Sequence, residues 1–462
     1  MPRWRRCSAS QTSTSSPASS RRPRVRFSDL AGRRVAVWGL GLEGSAVVRH
    51  LRALGVSPVI ALPEAVEAPE AEPSAVVGAA AIAALEAAEV VVKSPGIPVA
   101  ADLYRHLALI GVEFTSATDL WLSSNAGRAI GVTGTKGKST TASAIAHVLA
   151  VAGAPAVVAG NIGVSLLDSP DSGTVVAEVS SYQAQSITVS PRVAVVTSLF
   201  PEHLPWHGSE AAYFSDKLRL VSQGAQHVIA PGADERLVAR IRAVLPAGAT
   251  LHLTGPSTVY ADAAGLHWPG VGSLPSSELP LLGVHNAGNL ALAVLASSVA
   301  DASLAPEALL AAIPTFAALD HRMTTVPSRD GRRWIDDSLA TAPEAVVAAL
   351  SVFPDQPVAL ILGGSDRGLD MTSLASYLQS RSAPVHLLLI GAAGARFGDE
   401  HADGLGHPAT LFGSMAAAVA WGLSPGNPAS VVLLSPGAPS FDEYANYADR
   451  ARHLRELVAP IS

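Results

Sequence analysis

The run G-V-T-G-T-K-G-K-S-T-T, Gly131 to Thr141, constrains this chain more than any other stretch. It follows a strand-like apolar run that starts at Ala129, and it opens into the helix-like sequence T-T-A-S-A-I-A-H-V-L-A. A glycine-rich turn between a strand and a helix lines up backbone N–H groups with a helix N-terminus, which suits a polyphosphate. Lys138 can then reach the β- and γ-phosphates, and Ser139 can hold Mg2+. The general motif asks for a glycine five positions before Gly137, where this chain has Val132, so the loop is the variant T-G-T-K-G-K-S-T.

A second glycine turn lies upstream. V-W-G-L-G-L-E-G-S-A, Val37 to Ala46, reads G-x-G-x-x-G at Gly39, Gly41 and Gly44. The strand-like R-V-A-V-W precedes it and the helix-like S-A-V-V-R-H-L-R-A-L follows, the context of a dinucleotide-binding turn. The acid expected about 20 residues on is Glu64. It follows Pro63 in a Pro/Glu/Ala-rich stretch, a poor hook for a ribose. An NAD-dependent oxidoreductase is therefore one reading, and a turn that takes another diphosphate is the other.

Strand-like runs alternate with Ala-rich helical runs from residue 33 onward, starting at Arg33, Ala88, Ala129, Val175, Val193, Val358, His386 and Ser430. Such alternation predicts parallel sheets with crossover helices. The fold class expected is α/β in three domains: a Rossmann-like N-terminal domain, a central P-loop ATPase-like domain and a C-terminal Rossmann-like domain. The segment S-S-N-A-G-R before the second loop sets the first boundary, and the end of an Ala-rich helix near Ile313 sets the second. The domains expected are 27–124, 125–317 and 318–462.

The net charge of −6, with no strongly basic folded region, argues against nucleic acid as a partner. No apolar run reaches the roughly 20 residues of a membrane-spanning helix. The single cysteine, Cys7, can form no intrachain disulfide, which fits a reducing cytoplasm. Residues 1–26 carry basic runs around a Ser/Thr run with no apolar centre, so a secretory signal is not expected. A disordered basic tail is the preferred reading, with a start codon assigned too early or a transit peptide as alternatives.

The variant loop resembles the ATP loop of the Mur ligases and of their relative folylpolyglutamate synthase. G-N-I-G from Gly160, E-V-S-S-Y-Q from Glu178, P-E-H-L-P-W-H-G-S from Pro201 and D-K-L-R from Asp216 follow in order. Then come L-G-V-H-N-A-G-N from Leu282, D-H-R from Asp320, W-I-D-D-S from Trp334, L-I-L-G-G from Leu360 and L-S-P-G-A-P-S-F-D from Leu434. The resemblance spans nearly everything from residue 33 onward. A first domain set well ahead of the ATP loop disfavours folylpolyglutamate synthase. G-L-G-L-E-G and K-S-P-G-I-P, from Lys93, resemble Mur ligases that add glutamate to UDP-N-acetylmuramoyl-L-alanine. In such a ligase the first glycine turn receives the UDP.

What the resemblance implies is an acyl phosphate made with ATP and Mg2+, then attack by the amino nitrogen of glutamate. Positioning and cations carry most of such a step. ATP would meet Gly134, Thr135, Lys136, Gly137, Lys138, Ser139, Thr140, Asn289, Arg322 and Asp337. The catalytic set would be Lys138, His203 and Lys217, with Lys217 carbamylated. Metal ligands would be Ser139, Glu178, His203 and the Lys217 carbamate, because a hard cation takes oxygen. The muropeptide would meet Leu42, Glu43, Ser94, Gly96, Asn161, Ser180 and His203. Glutamate would meet Thr341, Arg367, Ser440, Phe441 and Tyr447. A cytoplasmic monomer that closes around its ligands is expected.

The departures from the family pattern cluster in the third domain. D-S-L-A-T-A-P, Asp337 to Pro343, stands where members that add D-glutamate usually read D-S-K-A-T-N, so Leu339 replaces a cation. The stretch S-L-F-P-E-H lacks the usual Asn at Ser198 and has Glu202 where Asp is common. S-F-D-E-Y-A-N-Y, from Ser440, lacks a lysine commonly found there, while Arg367 keeps a glutamate-binding cation. This pattern resembles a subgroup that adds L-glutamate and relies on a separate pathway epimerase. D-glutamate addition by a drifted sequence stays open, as does an ATP-binding Mur-like protein that does not ligate.

Overall fold

Strands apolar at every position, such as V-A-V-W at 35–38 and V-A-L-I-L-G at 358–363, need cover on both faces. Parallel sheets with crossover helices supply it, and the computed structural model of the protein has this α/β architecture. It describes residues 25–460 apart from 66, 71, 163, 318–320, 367 and 441. The segment expected to be a disordered tail therefore lies outside the described residues up to position 24. Val25, counted with that tail on composition, instead packs into the first core at 3% exposure.

The first sheet holds β1 (Val35–Trp38), β2 (Val59–Leu62), β3 (Val76–Val77), β4 (Val90–Lys93) and β5 (Glu113–Thr115). Its order is β3-β2-β1-β4-β5, parallel throughout. The chain steps to one side of β1 and then to the other, so the glycine turn after β1 sits at the switch point where such sheets bind ligands.

The second sheet holds β6 (Ala129–Thr133), β7 (Ala156–Gly160), β8 (Thr174–Glu178), β9 (Val193–Val196), β10 (His227–Pro231) and β11 (Thr250–Thr254). Its order is β11-β10-β9-β6-β8-β7, again parallel, with β6 between β8 and β9. The second glycine loop leaves β6 at this switch point. A small antiparallel sheet of β12 (Tyr260–Ala261), β13 (Gly265–Trp268) and β14 (Gly272–Pro275) follows. The helix Val284–Ala300 then packs along the helix Lys138–Val151 in a common core.

The third sheet holds β15 (Thr324–Val326), β16 (Arg333–Asp336), β17 (Val358–Gly363), β18 (Val385–Ile390), β19 (Ala409–Phe412) and β20 (Val431–Leu434). β20 inserts between β16 and β17, and only β15 runs antiparallel.

The first and second sheets share one core, in which Val37 and Leu120 are continuous with Val175 and Leu220. The helix Ala117–Asn125 is the joint. Ser116 caps it by accepting from Asp119 N–H at 3.2 Å. The buried Asp119 carboxylate accepts from Thr188 N at 2.6 Å, Thr188 Oγ1 at 2.9 Å and Thr115 Oγ1 at 3.2 Å. These bonds offset the desolvation of a buried charge and fix the first glycine turn relative to the second loop. No helix among the described residues is long and apolar enough to cross a membrane.

Candidate functional site

The loop after β6 is held by the segment that follows β9 and by Tyr213 of the helix Glu210–Ser222. Thr135 N–H donates to Ser198 O at 2.9 Å, and Lys136 N–H donates to Ser198 Oγ at 2.9 Å. Thr135 Oγ1 donates to Phe200 O at 2.9 Å and lies 3.0 Å from the Tyr213 hydroxyl. The loop ends with Gly137 in the left-handed region, φ 86°, as N-cap of the helix Lys138–Val151. Asn289 packs its amide against Gly137, where a Cβ would lie 2.4 Å from Oδ1. Ser139 and Thr140 occupy the first turn of that helix, and Thr140 Oγ1 is enclosed with no partner among the described residues.

Cations gather over this loop. Lys138 Nζ donates to Gly134 O and Thr135 O, each at 3.1 Å. Lys217, 2% exposed, donates to the same Gly134 O at 2.7 Å and lies 5.0 Å from the Tyr213 ring centroid. Burial pushes both ammonium groups below the usual lysine range, Lys217 strongly, and the Lys138 charge pushes Lys217 further. Lys136 pairs with Glu202 at 2.8 Å. The Arg322 guanidinium acts on Lys138, and its Nε is enclosed with no partner among the described residues. Lys136, Lys138 and Arg322 outnumber Glu178 and Glu202 here, a local excess of positive charge that suits a polyphosphate.

Glu178 ends β8 and is 1% exposed. Its Oε1 accepts from Asn161 Nδ2 at 2.8 Å, and its Oε2 is enclosed with no partner among the described residues. A buried carboxylate oxygen with nothing to accept suits a divalent cation. His203 takes a left-handed backbone, φ 57°, at the start of the helix Leu204–His207. Burial holds its imidazole below the usual range, which keeps a nitrogen lone pair free for a metal. Among the described residues no three His, Cys, Asp or Glu side chains form a metal cage by themselves. Mg2+ normally shares one or two carboxylates with substrate phosphates and water, so Glu178 and the phosphate loop fit it.

The first glycine turn faces this centre. Leu42 is 56% exposed at the turn. Ser94 Oγ donates to Gly39 O at 3.0 Å, and Gly96 O accepts from Trp206 Nε1 at 3.2 Å. Glu43 accepts from Gln183 Nε2 of the second sheet, and its Oε2 is enclosed without a partner among the described residues. Burial raises the Glu43 carboxyl above its usual range, opposed by the Gln183 bond. Ser180 caps the helix Ser181–Ala184 in a capping box with Gln183.

At the third sheet Asp337 accepts from Ser435 Oγ at 2.8 Å and Met323 N at 3.3 Å. Burial pushes its carboxyl up to about 7. Between the ordinary aspartate range and pH 7 the folded state keeps a proton that the unfolded chain releases, so stability falls as pH rises through that window. Asp337→Asn is expected to flatten this slope and to raise the unfolding temperature at pH 8 by roughly 2–4 °C. Melting curves from pH 5 to pH 8 check it, and an unchanged slope in the variant counts against the buried proton.

Of the five glutamate-binding residues expected from the sequence, Thr341, Ser440 and Tyr447 lie among the described residues. Ser440 is 3% exposed after β20, with its carbonyl accepting from Tyr444 N at 2.8 Å. The Tyr447 ring meets His321 edge-on at 5.9 Å, and Thr341 is exposed on the loop after β16. Arg367 and Phe441 lie outside the described residues. Sequence reasoning passed over Arg450, which is 1% exposed and donates to Ser338 O at 2.9 Å and Ala438 O at 3.2 Å. It ties the loops after β16 and β20 together. Gln183 and His207 were also missed, although both sit inside motifs that resemble the family's.

Residues 132–297 match the family described as Mur ligase middle domain, and residues 321–437 match the Mur ligase glutamate ligase domain. A UDP-N-acetylmuramoyl-L-alanine--L-glutamate ligase of a Micromonospora species is 42% identical over 94% of this chain and 98% of its own length. The protein of that name from Xanthomonas campestris is 38% identical over 94% of this chain and 97% of its own. Among solved structures, a UDP-N-acetylmuramate-alanine ligase from Thermotoga maritima superposes with a TM-score of 0.56 at 19% identity. That alignment covers 92% of this chain and 98% of the other, and it shows a common fold.

Proposed function

The chain belongs to the Mur ligase family, and on that premise we propose that it joins L-glutamate to UDP-N-acetylmuramoyl-L-alanine, converting ATP to ADP and phosphate. It is a ligase of peptidoglycan precursor synthesis, working in the cytoplasm. The observation that carries the reading is the near full-length likeness, at 38–42% identity, to relatives named for that reaction with L-glutamate. Leu339 in place of a cation fits an amino-acid pocket rebuilt around other charges.

Residues 27–124 would bind the UDP-muropeptide, 125–317 the ATP, and 318–462 the glutamate. Leu42, Glu43, Ser94 and Gly96 would line the uridine diphosphate end, with Asn161 and Ser180 toward the peptide. Gly134 to Thr140 would cradle the phosphates, and Asn289 and Asp337 would contact the nucleotide. Lys136, Lys138 and Arg322 would neutralise the γ-phosphoryl group while it passes to the L-alanine carboxylate. The bond to ADP breaks and a carboxyl–phosphate bond forms. The glutamate nitrogen then attacks that carbonyl, loses a proton, and phosphate leaves. Bound Mg2+, held by Ser139, Glu178, His203 and carbamylated Lys217, would supply charge neutralisation at the phosphates. Thr341, Arg367, Ser440, Phe441 and Tyr447 would hold the incoming glutamate.

Purified protein with ATP, Mg2+ and UDP-N-acetylmuramoyl-L-alanine is given L-glutamate or D-glutamate in parallel. ADP release and a ligated product with L-glutamate alone are expected. Turnover with D-glutamate alone would mean that the changes at Leu339 and Glu202 leave the stereochemistry untouched. ADP release independent of either amino acid would remove the ligase reading.

A further inference from the structure

His207 ends the short helix Leu204–His207, and its side chain is fully enclosed. Asp216 Oδ2 lies 2.7 Å from its Nδ1, and Ser181 Oγ lies 3.0 Å from its Nε2. A carboxylate only accepts, so Nδ1 carries the donated proton and Nε2 meets the serine hydroxyl. The same Asp216 oxygen accepts from Gln185 Nε2 at 3.0 Å. The ring stacks on Tyr182 at 5.7 Å and meets Tyr213 edge-on at 5.1 Å. Both polar atoms of the imidazole are bonded, and aromatic rings fix its plane.

Serine, histidine and aspartate in this order look like an acyl-transfer triad. Burial excludes that use: Ser181 is 2% exposed and the His207 side chain is fully enclosed, so no substrate carbonyl reaches the hydroxyl. The neighbours of the three residues point elsewhere. Ser181 follows Ser180 and stands three positions past Glu178. Asp216 precedes Lys217, and His207 stands one helical turn past His203. The hub therefore joins the three segments that carry the proposed ligands Glu178, His203 and Lys217. Its Tyr213 contact reaches further, since that hydroxyl lies 3.0 Å from Thr135 Oγ1 in the phosphate loop.

We propose that His207 is a positioning residue which, through Ser181 and Asp216, holds the Glu178, His203 and Lys217 segments in the register that Mg2+ and the Lys217 carbamate require. The proposal rests on the metal and carbamate reading above. A hub that bonds the strand end, the turn and the helix at once lets each ligand be aimed by the other two. Outer partners of this kind commonly change metal affinity without touching the metal.

The test compares wild type with His207→Asn, Asp216→Asn and Ser181→Ala, each first checked for folding by its melting curve. Mn2+ binding to the ADP complex is read by electron paramagnetic resonance. The carbamate is read by 13C NMR after labelled bicarbonate, with Lys217→Ala as the blank. His207→Asn is expected to weaken Mn2+ binding roughly 10- to 100-fold and to lower the carbamate signal, while ADP affinity without metal stays unchanged. Asp216→Asn and Ser181→Ala should shift both readings in the same direction by less, and they decide the matter if His207→Asn does not fold. Wild-type Mn2+ affinity and a full carbamate signal in the folded variants would overturn the proposal. So would a parallel fall in melting temperature and metal-free ADP affinity, the mark of a purely structural role. A wild type that shows neither signal would sink the metal reading itself, and that result is visible before any variant is compared.

Discussion

Lys217→Ala is expected to stop ligation, with turnover falling on the order of 10^3-fold, while the protein stays folded. An ammonium at 2% exposure, next to Lys138, sits where its charge is least welcome. Burial, with the Lys138 charge beside it, lowers the amine below its usual range and so favours the neutral form that adds CO2. A nitrogen–carbon bond then forms and one proton leaves. The carbamate keeps one N–H, which can still donate to Gly134 O, now 2.7 Å from Nζ. It replaces a cation with an anion that has two hard oxygens, beside the enclosed Oε2 of Glu178. Removing the side chain removes those oxygens. Loss of a desolvated charge and the cavity left behind act in opposite directions on stability, so the protein should stay folded while activity is lost. Wild-type activity should increase with added bicarbonate in CO2-depleted buffer, and the variant should not respond. A variant within tenfold of wild type would take Lys217 out of the reaction.

Local signals carried most of the fold. Strands apolar at every position and glycine turns at strand ends are written in single stretches of ten residues, and the sheets formed where those stretches predicted them. The two switch points follow from the same turns. The contacts that were not legible are those between residues far apart in sequence. Glu43 was expected to line the diphosphate end, yet its partner Gln183 lies 140 positions away, beyond any periodicity. His207 reads locally as an ordinary residue of P-W-H-G, and only the packing of three segments gives it Asp216 and Ser181. Arg450 reads as one charge on the amphipathic helix Tyr447–Val458, and its burial depends on loops that end two other strands. Composition placed Val25 in the tail because its basic neighbours outweigh one valine. Chirality is the least legible property, since Leu339 reports the loss of a charge and not the hand of what replaces it.

The two glycine turns should separate under the same substitution. Gly134→Ala is expected to lower ATP affinity about 100-fold, roughly 2.7 kcal/mol, and to lower the melting temperature. At φ 152° a Cβ there would lie 1.9 Å from Thr197 Oγ1 and 3.0 Å from Ser198 N. Thr197 Oγ1 donates to Lys136 O at 2.5 Å, so it cannot turn aside without loosening the loop. Gly134 O also receives both Lys138 and Lys217, and a shifted carbonyl disturbs both cations. Gly41→Ala meets no heavy atom within 4 Å, and its φ of −75° is open to any residue. Its stability should change by less than about 0.5 kcal/mol. A rise in KM for UDP-N-acetylmuramoyl-L-alanine with an unchanged KM for ATP would then have only one source, the close approach of the diphosphate to that backbone. Equal KM values in Gly41→Ala and wild type would mean that the first turn shapes the sheet end and does not cradle the UDP. A nicotinamide dinucleotide, added to the wild type as a control, should compete with neither substrate, because Glu64 follows Pro63 in a Pro/Glu/Ala-rich stretch, a poor hook for a ribose.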